Sequence, residues 1–132
     1  MSSELAGAKI LIAEDSRSLR NMMREAFVLD GYEILEGQDG EQALALAQAT
    51  TPDLVITDVH MPGMDGLTLV RSLRALPALK FTPVLVLTTE WGEEMKQRGL
   101  AAGATGWIVK PFHPEQLRRL VARLLSKRMA AR

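Results

Sequence analysis

The chain has 132 residues, enough for one domain with a genuine core. Nearly half are apolar, a quarter are charged and the formal charge is zero, which fits an ordinary soluble globular chain and leaves no electrostatic footprint for nucleic acid or an acidic membrane. The absence of cysteine excludes disulfides, thiol catalysis and cysteine-based zinc sites. Residues 1–8 carry neither a basic cluster nor an apolar segment, so they read as a flexible tail and not as a secretory signal. No apolar run reaches membrane-spanning length, so no membrane insertion is expected and a cytoplasmic address follows by default.

Lys9-Ile10-Leu11-Ile12-Ala13 is a short apolar run that stops at Glu14-Asp15. Ser16 opens a helix with Leu19, Met22, Met23, Ala26 and Phe27 on one stripe, closed by Asp30-Gly31. Tyr32 to Leu35 reads as a second strand, Gly37 to Gly40 as a turn and Glu41 to Ala49 as an Ala/Leu-rich helix. Leu54 to Ile56 reads as a buried strand that delivers Asp58 to the turn forced by Met61-Pro62-Gly63. Asp65 caps the next helix, with Leu67, Val70 and Leu73 on its inner face, and Pro77 and Pro83 bracket a loop.

Val84 to Leu87 is the fourth strand and ends at Thr88-Thr89-Glu90. The helix over 93–102 is the weakest, with sparse apolar positions and an internal Gly99 that costs about 1 kcal/mol relative to Ala. The strand Trp107-Ile108-Val109 ends at Lys110-Pro111. A last helix from about Pro114 presents Leu117, Leu120, Val121, Leu124 and Leu125 inward; Arg118, Arg119, Arg123, Lys127 and Arg128 are assigned to its solvated side, and His113 to the surface.

Five strands alternating with five helices predict an α/β domain, a doubly wound parallel sheet covered on both faces by right-handed crossovers. The domain is placed at residues 9–128, with a C-terminal tail at 129–132 and no attached output module. In such a sheet all strand carboxyl ends share one edge, where ligands collect. Glu14, Asp15, Asp58, Thr88 and Lys110 would meet there. Singly each has a simpler role: Asp15-Ser16 as a helix cap, Asp58 in a turn, Thr88 at a strand end, Lys110 on the surface. Four strand ends carrying such groups at once favour a functional set.

Carboxylates about 4 Å apart repel by roughly 4 kcal/mol per pair at an effective dielectric near 20, so the cluster needs a cation beyond Lys110. Oxygen donors without nearby His or Cys ligands select a hard ion, Mg²⁺ before Zn²⁺. Phosphoryl transfer demands positioning and charge neutralisation above all. The roles then follow: Asp58 as the nucleophile, Glu14 and Asp15 as Mg²⁺ ligands with the His60 backbone carbonyl beside them, Lys110 as a point charge on a phosphate oxygen, and Thr88 as a hydroxyl donor.

These residues closely resemble the receiver domain of two-component response regulators, specifically the single-domain chemotaxis type, over roughly residues 8–127. The resemblance is carried by Glu14-Asp15, by Asp58 with Met61-Pro62-Gly63-Met64-Asp65-Gly66, by Thr88, and by the run from Gly103-Ala104-Thr105-Gly106 through Trp107-Ile108-Val109-Lys110-Pro111-Phe112. It implies the flavodoxin-like strand order 2-1-3-4-5, which is a property of the family and does not follow from the residues. It also implies phosphorylation of Asp58 by a histidine kinase with Mg²⁺, movement of Thr88, inward rotation of the aromatic at 107, a cis Lys110-Pro111 bond, and a partner face formed by the fourth helix, last strand and last helix.

Trp107 stands where Tyr or Phe is commoner, and Glu90 and Trp91 lie beside the same face. His60, two residues past the acceptor, flanks the route of an attacking water and with Glu90 could tune phosphate lifetime. The implied function is a monomeric, phosphorylation-controlled signalling switch, not an enzyme on other substrates, that promotes its own phosphorylation and dephosphorylation. Its partners would be a chemotaxis-type histidine kinase and a flagellar motor switch protein; the alternative is a shuttle to a phosphotransfer protein, or a phosphate sink. A flavodoxin-like cofactor protein is disfavoured because Glu14-Asp15 replaces a phosphate cradle, and an Asp-dependent phosphatase because His60 stands where a second Asp is usual.

Overall fold

The structure is a computed structural model that describes residues 5–90 and 92–131. Its elements are β1 (Lys9–Ala13), α1 (Arg17–Val28), β2 (Glu33–Gly37), α2 (Gly40–Thr50), β3 (Leu54–Asp58), α3 (Gly66–Arg74), β4 (Val84–Thr88), α4 (Glu93–Ala102), β5 (Gly106–Val109) and α5 (Pro114–Ala131). All strand pairs are parallel and the order is β2-β1-β3-β4-β5, as the resemblance implied.

Strand periodicity of two divides the core. Ile10, Ile12, Leu54, Ile56, Leu85, Leu87 and Ile108 face α1 and α5, where they meet Met23, Phe27, Leu117, Val121 and Leu125. Leu11, Ala13, Val55, Val84 and Val86 face α2, α3 and α4. Because both faces are covered, β3 and β4 open on apolar runs, over 54–56 and 84–87, and every residue in them is buried. Burial of each Leu or Ile contributes about 1.5–3 kcal/mol, so the central strands anchor the edge that bears the functional groups.

Local signals decide the helix starts. Ser16, and not Asp15, caps α1 by accepting the Leu19 N–H at 3.3 Å, while Asp39 and Asp65 cap α2 and α3 with 2.8 Å bonds. The second strand begins at Glu33 and runs through Gly37, two residues beyond the predicted end, because register with β1 continues as far as Ala13 opposite Gly37. Between Pro77 and Pro83 lies a short 3-10 turn, Pro77–Leu79. Arg74 gathers the carbonyls of Leu79, Thr82 and Gly103 within 2.6–2.9 Å and so orders this loop against the end of α4.

Three boundaries and surfaces depart from the sequence reading. Residues 5–8 are not a loose tail: Leu5 packs on the α1/α5 layer, Ala8 is buried and the Gly7 N–H donates to the Gly31 carbonyl at 2.8 Å. At the other end α5 continues past residue 128 to Ala131, with Met129 against the same layer. The basic face of α5 is only partly solvated. Arg118 forks onto Asp30 at 2.8 and 3.0 Å, and Arg128 reaches Asp53 at 4.0 Å, both half-buried, their long stems carrying the charged heads to carboxylates just past α1 and just before β3.

Helix α4 is as sparse as expected. Its N-cap is Gly92 with φ +127° and no side-chain cap, and it buries only Met95, Gly99 and Ala102. A Cβ at Gly99 would meet only Trp107 Cε3 at 3.9 Å, an ordinary contact. Gly99→Ala therefore raises stability by about 1 kcal/mol through helix propensity, measured as a higher urea midpoint at constant slope; a loss would mean α4 resists any filling of that space.

Candidate functional site

The parallel register brings the carboxyl ends of β1, β3, β4 and β5 to one edge, with Asp58 opposite Leu87 and Thr88 opposite Val109. One carboxylate oxygen from each of Glu14, Asp15 and Asp58 falls in a set mutually within 4.8 Å. Glu14 and Asp58 are buried and Asp15 is exposed, so the cluster opens to solvent on the Asp15 side. Lys110 bridges the two buried acids, its Nζ 2.9 Å from Asp58 Oδ2 and 3.2 Å from Glu14 Oε1. The Ser16 N–H donates to Glu14 Oε2 at 3.1 Å, which binds the start of α1 to the same carboxylate.

These contacts shape the electrostatics. Burial pushes the Glu14 carboxyl up to about 7; the Ser16 N–H and the Lys110 charge pull it down, while the Asp58 charge adds to the rise. Burial also works to lower Lys110, yet the hydrogen bond and charge of Asp58 and the charge of Glu14 outweigh it, so the ammonium is held above its usual range. One lysine contacts two of the three carboxyl groups. The donor set is all oxygen, two of its members are withdrawn from water, and the third is open to it. That arrangement fits a hard divalent cation that keeps part of its water shell.

The remaining predicted residues take distinct places. Thr88 is fully buried, and its hydroxyl oxygen accepts the Glu90 N–H at 2.9 Å, with its own proton still a donor. The Lys110 N–H donates to the Thr88 carbonyl at 2.8 Å, so the end of β4 and the lysine share one ladder. His60 directs its N–H toward Asp58 Oδ1 at 3.4 Å, and its Nε2 lies 2.6 Å from Glu90 Oε1, a contact across the outer rim of the site. Trp107 is half-buried beside α4, with the Lys96 ammonium 5.7 Å from its ring. Lys110-Pro111 is cis. Trp91 lies outside the described residues.

Sequence reasoning passed over Arg20 and Glu36. Arg20 is buried, donates to the Glu14 carbonyl at 2.7 Å and pairs with Glu36. The available signal was a basic residue one turn past the N-cap, next to an apolar stripe that faces the first two strands.

The profile described as the response regulator receiver domain matches residues 10–122. The chain belongs to the response-regulator receiver family. As a receiver domain it shares 38% identity over 120 residues with the phosphate regulon transcriptional regulatory protein PhoB of Pseudomonas aeruginosa, covering 91% of this chain and 51% of that protein. The receiver thus spans about half the length of the first curated relatives it matches.

Among solved structures it is similar to the Vibrio cholerae chemotaxis protein CheY4, with 47% identity, a TM-score of 0.86, and coverage of 90% of this chain and 99% of that one. It is also similar to the receiver domain of a Pseudomonas aeruginosa sensor histidine kinase, with 27% identity, a TM-score of 0.84, and coverage of 92% and 99%. That structure has a magnesium ion coordinated in its active-site cleft. No helix among the described residues is long and apolar enough to cross a membrane.

Proposed function

We propose that this receiver accepts a phosphoryl group on Asp58 from the phosphohistidine of a histidine kinase and thereby changes its affinity for a downstream partner. The observation that carries the proposal is Lys110 bridging Asp58 and the buried Glu14, with Asp15 completing an all-oxygen cluster. An Asp58 carboxylate oxygen forms the new bond to phosphorus as the bond between phosphorus and the donor imidazole nitrogen breaks. Lys110 would redirect a hydrogen bond from Asp58 to an oxygen of the incoming group, and the Thr88 hydroxyl would donate to another. Glu14, Asp15, Asp58 and the His60 backbone carbonyl would hold Mg²⁺, which supplies charge neutralisation on the phosphoryl oxygens.

Intact-protein mass after incubation with a small acyl-phosphate donor, with and without MgCl₂, tests this. One phosphoryl adduct that requires Mg²⁺ and vanishes in Asp58→Asn is the expected result. An unmodified wild-type chain, or an adduct that persists in Asp58→Asn, would overturn it. On this reading the His60–Glu90 contact would flank the approach of hydrolytic water, so in the same assay the Glu90→Ala adduct decays several-fold faster than wild type. An unchanged half-life would remove the pair from the lifetime.

For output, the 47% identity with CheY4 supports a chemotaxis-type partner such as a flagellar motor switch protein. The receiver of a sensor kinase, similar in fold and partly in sequence, supports a second reading as a phosphorelay shuttle. Transfer of the adduct onto an isolated phosphotransfer domain, without adduct-dependent motor-protein binding, selects the shuttle.

A further inference from the structure

The acidic side chains of the β1–α1 loop must leave the backbone in directions that bring them together against their own repulsion. Both peptide units of Glu14 are tied to the end of β2. Its N–H donates to the Gly37 carbonyl at 3.1 Å. Its carbonyl accepts from Arg20 Nη1 at 2.7 Å, and Arg20 Nε holds Glu36 Oε1 at 3.3 Å. Glu36 is paired in turn with Arg24. Arg20 is 8% exposed, so this cation has left water to make these bonds.

A staple joining α1 to β2 would need only the contact with Glu36. The shorter bond instead goes to the carbonyl of the peptide that links Glu14 to Asp15. Fixing that peptide plane fixes the direction in which both acids project. A guanidinium suits the task because its planar fork reaches two oxygens in one geometry without losing its charge.

We propose that Arg20 is the positioning residue of the acidic cluster: through the Glu14 carbonyl it orients the Glu14–Asp15 peptide and so sets the affinity of the site for a divalent cation. This rests on the proposed Mg²⁺ site. Arg20 touches neither the ion nor the phosphoryl group; it acts through the loop, as outer-shell partners of metal ligands do, where loss typically weakens metal binding about 10–100-fold.

Calorimetric titration of the full chain with MgCl₂ alone tests it, on wild type, Arg20→Met, Arg20→Lys and the double variant Arg20→Met/Glu36→Met. The double variant replaces the buried Arg20 and the half-buried Glu36 by apolar side chains of similar length, so that neither charge is left without its partner. In Arg20→Met and the double variant the Mg²⁺ Kd rises at least about tenfold. In Arg20→Lys, which keeps the charge but lacks the fork, it rises by less. The rate of adduct formation recovers at saturating Mg²⁺. If Arg20→Met does not fold, the double and Lys variants carry the comparison.

A double variant with wild-type Mg²⁺ affinity, or Kd within twofold of wild type in whichever variants fold, overturns the positioning role and leaves a structural staple. A wild-type chain with no Mg²⁺ binding would instead overturn the metal site itself, a separate result.

Discussion

Gly66→Ala lowers the stability of the domain by about 3 kcal/mol or more, the upper end of what overpacking costs. The first turn of α3 lies directly on the backbone that carries Asp58. A Cβ at Gly66 would stand 1.9 Å from the Asp58 carbonyl oxygen and 2.9 Å from Val59 Cα, and both obstacles are main chain. A flexible side chain could swing away; a strand carbonyl in the middle of the sheet cannot. The Gly66 N–H also donates to the Val59 carbonyl at 2.8 Å, so helix and strand are bonded at the point of contact. Relief requires α3 to move off β3, which loosens Leu67, Leu69, Val70 and Leu73 from the core.

Urea unfolding measures the loss, and the contrast with Gly99→Ala isolates its cause, since there the same added methyl group stabilises. A loss below 1 kcal/mol would show that α3 can shift freely over β3. Phosphoryl acceptance should fall with it, because any shift is transmitted to the peptide that bears Asp58.

The Gly66 contact also shows where sequence reasoning ends. The strands were legible because β3 and β4 are buried on both faces and open on apolar runs of three and four residues. Asp65 was legible as a cap because its chemistry is local. The convergence of Glu14, Asp58, Thr88 and Lys110 followed from one global property, the shared carboxyl edge of a parallel sheet. The strand order came from resemblance, since alternation of strands and helices fits several orders.

What escaped depends on contacts between residues distant in the chain. Gly66 was visible in the sequence, but its steric reason lies across a turn in the backbone of Asp58. Arg20 and Glu36 pair between α1 and β2, and Arg118 with Asp30 between α5 and the end of α1. A surface arginine and a half-buried one look alike in periodicity, because a long stem lets either head reach the water or a partner. The extension of α5 to Ala131 escaped because its last turn has no apolar stripe beyond Met129.

In the absence of divalent metal, Glu14→Gln is more stable than wild type at pH 8 by about 2 kcal/mol, and the difference closes toward pH 5. Burial lifts the Glu14 carboxyl from 4.5 to about 7, so the folded state binds this proton more tightly than the unfolded state does. The contribution of Glu14 to stability is complete below pH 4.5 and is lost as pH rises through about 7. At pH 8 a shift of this size costs about 3 kcal/mol, from which roughly 1 kcal/mol is subtracted because an amide cannot accept from both Ser16 and Lys110. Urea midpoints of both proteins in chelator at pH 5 and pH 8 measure the effect, and a wild type more stable than Glu14→Gln at pH 8 would refute it.

Adding Mg²⁺ inverts the ranking. At a concentration about 100 times its Kd, the ion adds about 2.7 kcal/mol to whichever chain binds it, and only wild type retains the full acidic set. At the proposed Mg²⁺ site, the same burial that makes Glu14 a stability defect without metal would keep water from competing for its oxygens, so the cost and the binding would have one cause.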